Sequence, residues 1–169
     1  DLLNLLRCAA NPEDRIALAG VLRSPLGGLD DDELVKVAAA GLLDYRKDPA
    51  EGLPDDFPDR DALARLYALL RRLRSKAALL PPSAAVRRVL ALSGLPEIAG
   101  GAPHGEQAVA NLEKAVRIAA RADPRADRSL WGFVQRMEKN LRGIEEEGEH
   151  PLAEEGAEAV RILTIHKAK

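Results

Sequence analysis

Apolar residues recur along the chain with the spacing of one helical face, starting at the first residues. The apolar stripe of residues 2–6 stops at Asn11, and this pattern predicts a first helix. Proline is favoured as the first residue of a helix and asparagine as its cap. A second helix is therefore predicted from Pro12 to about Arg23, with Asn11 as the cap. Residues 24–29 then predict a compact turn.

Acidic residues begin the next helix and fill the loop that follows it. Residues 30–33 are all acidic, and carboxylates in a first helical turn interact favourably with the helix dipole. Residues 44–60 contain three prolines, one glycine and six acids, which is typical of a loop. A third helix is therefore predicted between Asp30 and this loop.

The most regular amphipathic pattern covers residues 61–77, where the apolar side chains fall on one helical face. These side chains are Leu63, Leu66, Tyr67, Leu70 and Leu73. A shorter helix is predicted from Pro81 to Gly94 and a connection over residues 96–105. Two more helices are predicted at 106–121 and about 128–143, followed by an acidic, solvated linker at 145–155.

Residues 159–165 form the one convincing strand pattern, a β-branched run too short for an ordinary helix. A single strand has nothing to pair with, so it is expected to belong to a sheet that lies mostly outside the chain. The predicted fold is mainly α, with about six or seven helices and this short C-terminal strand. Both ends interrupt an apolar pattern, so the chain is expected to be a piece of a longer protein.

Composition narrows the class of protein. The chain is 46% hydrophobic and 31% charged, as in a globular domain, and its aromatic content of 3% favours helices over sheets. The formal net charge is −2, so nucleic-acid binding would have to come from a local arrangement of charge. Cys8 is the only cysteine and no long apolar run occurs. These features predict a cytoplasmic protein with no internal disulfide and no membrane partner.

No motif of an active site occurs in the sequence. It has no GxxxxGK[ST] loop for nucleotide phosphates and no GxSxG turn for a catalytic serine. His104, His150 and His166 are too far apart for the spacing of metal ligands. The acidic runs at 30–33 and 145–147 fit a helix start and a linker better than magnesium sites. We therefore predict no catalytic residue, no metal site and no cofactor within the chain.

One segment is strongly basic. No acid occurs between residues 62 and 96, and the segment holds seven basic residues: Arg65, Arg71, Arg72, Arg74, Lys76, Arg87 and Arg88. Positions 65, 72 and 76 fall on one helical face, opposite the leucines. Two interpretations remain open. The usual one is a solvated helix face, and the other is a phosphate-binding surface whose affinity depends on salt but not on base sequence.

Trp131 and Phe133 are two of the few aromatic residues. Aromatic rings can stack on the bases of single-stranded nucleic acid. Large rings in an aromatic-poor chain more often fill the core, and that is the favoured interpretation.

The C-terminal residues 160–169, VRILTIHKAK, resemble the start of motif V in the UvrD-type superfamily 1 helicases. Thr164, His166 and Lys169 fall on the threonine, histidine and lysine of that motif, and the Ile-His-Lys wording is most similar to the AddA and RecB nuclease-helicases. By their own chemistry, a hydroxyl, an imidazole and an ammonium group at the end of a strand can also contact phosphates. Without the resemblance, a solvated basic tail at the end of a strand is the favoured interpretation of these residues.

A second resemblance lies at the N-terminus. DLLNLLR at residues 1–7, NPED at 11–14 and LRSPLGGL at 22–29 resemble the entry into the 2B subdomain of the same family. The wording is weaker between about residues 45 and 125. The resemblance implies two domains: a helical 2B-type insertion over residues 1–157, and a truncated strand with the start of motif V over 158–169, from the second RecA-like motor domain.

The resemblance also implies a function. In this family the 2B insertion grips duplex DNA ahead of the fork, and motif V contacts single-stranded DNA. The chain is thus expected to be a duplex-engaging, regulatory part of an ATP-dependent DNA helicase, or helicase–nuclease, in repair or recombination. ATP and Mg²⁺ would bind elsewhere in the parent enzyme, and the chain alone would not be an enzyme. The alternative is a protein-interaction module that docks a second helicase–nuclease subunit.

The turn at residues 25–29 is a further predicted contact with the duplex. Gly27 and Gly28 would let a phosphate approach backbone N–H groups at a helix N-terminus. The family has glycine-hydrophobic-glycine here, whereas this chain has Gly27-Gly28-Leu29, and the acids at 30–33 would repel a phosphate. A plain helix-to-helix turn is therefore an equally open interpretation.

Overall fold

A computed structural model describes residues 1–54, 57–122 and 129–147, with side chains described as far as residue 141. These residues form eight α-helices and no β-strand: α1 Leu2–Ala10, α2 Arg15–Arg23, α3 Asp31–Ala39, α4 Arg60–Ala77, α5 Pro82–Ser93, α6 Leu95–Gly100, α7 Gly105–Ala122 and α8 Leu130–Glu147. The predicted mainly α fold is confirmed. The predicted strand and the domain boundary at residue 157 lie outside the described residues.

Helix α1 is at the centre of the core, because α2, α4, α5 and α8 all pack against it. Leu5 and Leu6 are both fully buried, which two neighbouring positions can be only where a helix is covered over a broad arc. Cys8 and Ala9 extend the buried surface by another turn. The apolar stripe that predicted this helix is therefore part of the core.

Helix α2 begins three residues later than predicted, at Arg15. Asp14, not Asn11, is its N-cap, because an Asp14 carboxylate oxygen accepts a hydrogen bond from the backbone N–H of Ala17 at 2.9 Å. The side-chain oxygen of Asn11 instead accepts from the N–H of Glu13 at 3.0 Å. The predicted cap was wrong because two cap-forming residues lie close together, and contacts distant in sequence select between them.

Arg7 makes the contacts that select Asp14 as the cap. Its Nε lies 2.8 Å from a carboxylate oxygen of Asp14 and 3.1 Å from one of Glu138 on α8. The three side chains are only 22%, 12% and 17% exposed, so solvent screens the pairs weakly. Arg7 therefore joins the start of α2 and the middle of α8 to α1.

Helix α3 begins at the predicted acidic run. Its N-cap Asp30 accepts a hydrogen bond from the N–H of Glu33 at 2.8 Å, and the Glu33 carboxylate accepts one from the N–H of Asp30 at 2.9 Å. This reciprocal pair is a capping box. Val37 is the one buried residue of α3, and the helix packs mainly on α2. Helix α3 thus lies at the edge of the core.

Two buried tyrosines hold the predicted loop between α3 and α4. The hydroxyl of Tyr45 donates to the carbonyl of Cys8 at 2.6 Å, and that of Tyr67 donates to the carbonyl of Leu42. Burial raises the pKa of Tyr45 to about 12 and also raises the pKa of Tyr67. The loop is therefore fixed against both α1 and α4.

Helices α4 and α5 form a hairpin, joined by the short connection of residues 78–81. Helix α4 buries the predicted apolar face. Helix α5 ends at Gly94 as predicted, and the φ of 68° at Gly94 is a left-handed conformation that favours glycine. Residues 96–105, predicted as a connection, contain part of the six-residue α6. That prediction was wrong because Pro96 lies in a first helical turn, where proline is tolerated.

Helix α7 packs on α5 and α6, and α8 packs on α1 and α5. Helix α8 continues to Glu147, so residues 145–147 are helical rather than part of the predicted linker. Residues 148–155 of that linker lie outside the described residues. None of the described helices is both long and apolar enough to cross a membrane.

Candidate nucleic-acid interface

The α4–α5 hairpin carries the basic segment, and three of its side chains project into solvent. Arg72 and Lys76 lie one turn apart on α4, and Arg88 lies on α5. All three residues are exposed, and within the described part of the chain no hydrogen bond or ion pair holds their side chains. We call Arg72, Lys76 and Arg88 the basic set. These charges are available to an external anion.

Arg71 has a different environment, although it is adjacent to Arg72. Its Nη1 donates to the backbone carbonyl of Tyr45 at 2.7 Å and lies 3.3 Å from that of Lys47. The guanidinium therefore holds the loop between α3 and α4. The predicted DNA contact of Arg71 remains a prediction, and it would compete with these bonds.

Arg65 and Arg87 are intermediate cases. Arg65 lies 3.8 Å from Asp59, with both side chains 71% exposed, which is a weak ion pair. Arg87 donates to the hydroxyl of Ser83 at 3.1 Å. Neither contact neutralises more than part of the charge, so both residues can add to the potential around the basic set.

Arg74 lies in a surface cleft of about 390 Å³ between the end of α1, the α3–α4 loop and the start of α8. The cleft is lined by Ala10, Asn11, Pro12, Glu13, Arg46, Arg74 and Trp131. Arg74 lies near the Tyr45 hydroxyl and partly offsets the rise in the pKa of that group, and Arg46 binds Asp44 through two contacts of 2.8 Å. The bond from Arg46 lowers the pKa of Asp44. The guanidinium group of Arg46 is therefore held in place.

The two aromatic residues on α8 have separate environments. Phe133 is 2% exposed and fills the core, as the sequence favoured. Trp131 is 45% exposed and forms part of the cleft, so the core interpretation was wrong for this ring. Positions 131 and 133 are about 200° apart around a helix, and therefore only one of them can face α1.

The turn before α3 uses its own backbone donors. The N–H groups of Gly27 and Gly28 both donate to the carbonyl of Ser24, at 2.9 and 2.8 Å, and that of Leu29 donates to the carbonyl of Leu22 at 3.0 Å. A Cβ on Gly27 would lie 2.2 Å from the same Leu22 oxygen, and Gly28 has a φ of 68°. The glycines therefore serve the turn itself. Their predicted phosphate contact stays a prediction.

The sequence also predicts a DNA contact by three C-terminal residues. Thr164, His166 and Lys169 lie outside the described residues. Within residues 1–54, 57–122 and 129–147, no three His, Cys, Asp or Glu side chains come together as a metal ion would require. The thiol of Cys8 is buried, and burial raises its pKa to about 12, so it is not a nucleophile at neutral pH.

Sequence reasoning missed Arg46 and its place beside Trp131. The two residues are far apart in sequence, and no spacing rule relates a loop arginine to the start of a helix eighty-five positions later. The one local signal was Asp44-Tyr45-Arg46, an acid and an arginine two residues apart within a loop, and that pattern is common in loops generally.

Comparison with known proteins finds homologues that match nearly the whole chain. No family model matches the chain. The chain is 32% identical over 174 aligned residues to AddA, the A-type subunit of the ATP-dependent helicase/nuclease, from Bacillus mycoides (strain KBAB4), and the match covers 99% of the chain. The corresponding proteins of Bacillus cereus (strain AH820) and Bacillus thuringiensis (strain Al Hakam) match equally well. The chain spans about 14% of the length of these curated relatives.

The chain is homologous to part of AddA, a UvrD-like superfamily 1 helicase. The resemblance to UvrD-type superfamily 1 helicases, and to their AddA branch, is therefore confirmed. The match to AddA also runs through residues 45–125, where the sequence offers no motif. The basic hairpin consequently lies within the part of the chain that aligns with the AddA relatives.

Proposed function

We propose that residues 1–157 are the 2B-type insertion of a cytoplasmic, ATP-dependent DNA helicase–nuclease, and that they engage duplex DNA and regulate its unwinding during repair or recombination. Residues 158–169 would begin motif V of the second RecA-like domain. Homology to part of AddA and the helical architecture support the proposal. The observation that carries the DNA contact is the basic set on an acid-free hairpin.

The basic set would act by neutralising phosphates. Arg72, Lys76 and Arg88 have no protein partner to exchange among the described residues, so a phosphate can pair with them without breaking an internal bond. Each phosphate that is neutralised releases condensed counterions, and binding then weakens as salt rises. The proposed contact reads the DNA backbone and therefore does not depend on base sequence.

A titration of labelled duplex DNA tests this proposal. Fluorescence anisotropy would compare the chain with Arg72→Gln/Lys76→Gln/Arg88→Gln at several salt concentrations. We expect weaker binding and a slope of log K against log salt that is smaller by about 2 to 3, since each lost phosphate contact removes about 0.9.

A matched control removes three positive charges elsewhere. Lys36, Lys114 and Lys139 are exposed and lie on α3, α7 and α8. The variant Lys36→Gln/Lys114→Gln/Lys139→Gln should keep most of the salt slope. If both triple variants lose affinity equally, a diffuse charge effect replaces the proposed surface. If the unaltered chain does not bind duplex at low salt, the proposal is wrong.

ATP and Mg²⁺ are assigned to other parts of the parent enzyme. The described residues hold no cluster that fits a metal ion, and the sequence lacks a phosphate-binding loop. In this proposal Thr164, His166 and Lys169 contact single-stranded DNA as part of motif V. The reaction itself would therefore take place outside residues 1–157.

Docking of a second helicase–nuclease subunit is the alternative function. Apolar contacts for it would come from exposed side chains such as Ile16, Val35 and Leu79, which are 77%, 65% and 94% exposed. The basic-set variant separates the two functions. Loss of duplex affinity with the partner still bound supports the DNA contact, whereas the opposite result supports docking. Arg71 is unsuitable for this test because it holds the α3–α4 loop, and Arg74 because it lines the cleft.

A further inference from the structure

The cleft around Trp131 combines three kinds of group at one place. The indole ring of Trp131 is half-exposed, and the guanidinium groups of Arg74 and Arg46 line the same cleft. Asn11 and Glu13 add an amide and a carboxylate near the rim. The volume of about 390 Å³ falls in the lower part of the usual range of sites for small molecules.

Each group suits one part of a nucleotide. An indole face stacks on a nucleobase, whichever base it is, because every base has a π-face. The guanidinium of Arg74 can pair with a phosphate. The Glu13 carboxylate, which repels phosphate, can accept a hydrogen bond from a base amine instead.

Arg46 is positioned before any ligand arrives. Arg74 lies near the hydroxyl of Tyr45, which donates to the Cys8 carbonyl. Arg46 is fixed by Asp44 and lies 3.7 Å from Glu13. Side chains held in this way lose little conformational freedom when a ligand binds.

We propose that this cleft binds one unstacked nucleotide of single-stranded DNA, with its base on Trp131 and its phosphate on Arg74. A DNA strand fits the cleft better than a free nucleotide. Arg46 is already bound to carboxylates, which leaves only Arg74 for a phosphate. One arginine matches the single negative charge of a phosphodiester better than the larger charge of a terminal phosphate.

This inference rests on the proposed function in that the ligand is DNA, but it uses other residues and another form of DNA. Trp131 is the only tryptophan in the chain, so its fluorescence reports on the cleft alone. Titration with an eight-nucleotide oligothymidylate should quench this fluorescence. The same oligomer with abasic residues keeps the phosphates and should not quench it, because it has no base to stack.

Two variants separate the base contact from the phosphate contact. With a labelled oligothymidylate read by anisotropy, Trp131→Leu should weaken binding about tenfold, whereas Trp131→Phe should retain most of the affinity. Arg74→Gln should weaken binding more than Lys114→Gln, its control, since Lys114 is an exposed cation on α7 outside both the cleft and the basic set. Thermal melting of each variant confirms that it is folded.

The outcomes are distinct from those of the duplex test. Single-strand quenching that survives loss of the basic set supports the cleft even if duplex binding fails. Bound oligothymidylate that leaves Trp131 fluorescence unchanged overturns the proposal, as does equal affinity of Trp131→Leu. Equal quenching by thymidine monophosphate at the same concentration overturns the single-stranded source and assigns the cleft to free nucleotides.

Discussion

Gly27 and Gly28 are neighbours that require glycine for different physical reasons. A side chain at Gly27 would collide with the backbone of Leu22, which cannot move without shifting the end of α2. Gly28 has open space around it, but its left-handed backbone is strained for other residues. The same substitution at the two positions therefore tests packing and backbone strain separately.

We expect Gly27→Ala to lower the free energy of unfolding by about 1–3 kcal/mol through overpacking. Gly28→Ala should lower it by about 1–2 kcal/mol, and Gly28→Asn by less, since asparagine tolerates a left-handed conformation. Urea denaturation measures all three. An unchanged stability of Gly27→Ala would show that the turn can relax away from Leu22.

Arg71 and Arg72 form a second neighbouring pair with opposite roles. Arg71→Gln removes a charge-assisted bond to the Tyr45 carbonyl and should lower the free energy of unfolding by about 1 kcal/mol. Arg72→Gln should change it by less than about 0.5 kcal/mol, as is usual for an exposed side chain without partners. Chemical denaturation of the two variants checks the difference, and equal losses would contradict these roles.

At the scale of helices, Arg7 is the residue that ties separate elements together. Arg7→Met would leave the half-buried carboxylates of Asp14 and Glu138 without their cation, and should lower the free energy of unfolding by about 2 kcal/mol. Arg117→Met is the matched control. Its pair with Glu113 is 63% and 68% exposed, so the loss should be about 0.3–0.5 kcal/mol.

Thermal and urea unfolding of both variants would measure this difference. A loss at Arg7 no larger than that at Arg117 would mean that solvent screens the Arg7 pairs. Glu138→Gln isolates the contact with α8, because it leaves the pair between Arg7 and the α2 cap in place.

The helices could be predicted from sequence where the apolar period was long. Helices α4 and α7 were found nearly to the residue, since each spans five turns with one buried face. Helix α6 has six residues and buries only Leu95, so its sequence carries too little periodicity to distinguish it from a loop. The cap of α2 depended on Arg7, a contact that local propensity does not contain.

The candidate site was predictable as a charge pattern but not as an arrangement. An acid-free segment with seven cations is visible in the sequence. Contacts with residues about 25 positions away decide which of these cations are available to bind a phosphate. Arg71, for example, is bonded to the carbonyl of Tyr45. The low aromatic content of the chain predicted that Trp131 lies in the core. In the structure Phe133 packs against the interior, and Trp131 therefore lies on the outer side of the same helix.

At the scale of the whole molecule, the free energy of unfolding depends on pH through three buried groups: the thiol of Cys8 and the hydroxyls of Tyr45 and Tyr67. Burial raises the pKa of Cys8 from its ordinary 9.0, and that of Tyr45 from 10.0, each to about 12, and the pKa of Tyr67 rises as well. The unfolded chain therefore loses these protons more readily than the folded chain. Their contribution to stability is complete below about pH 9, and that of Cys8 and Tyr45 is lost as the pH rises to about 12.

We expect the free energy of unfolding to fall steeply between pH 9 and 12. Each tyrosine contributes a slope of up to about 1.4 kcal/mol per pH unit above pH 10. Tyr45→Phe/Tyr67→Phe should be less stable at neutral pH, through lost hydrogen bonds, and should show a shallower alkaline slope. Urea denaturation across this range tests the sign, and an unchanged slope would exclude the tyrosines as its cause.

The burial of Cys8 also has a practical consequence for covalent labelling. Maleimides react with thiolates, and this thiol is 1% exposed with its pKa raised to about 12. No other cysteine competes for the reagent. A single cysteine placed on an exposed helix position, as in Lys114→Cys, would therefore carry a probe or a tether to one known point, with the native chain left otherwise intact.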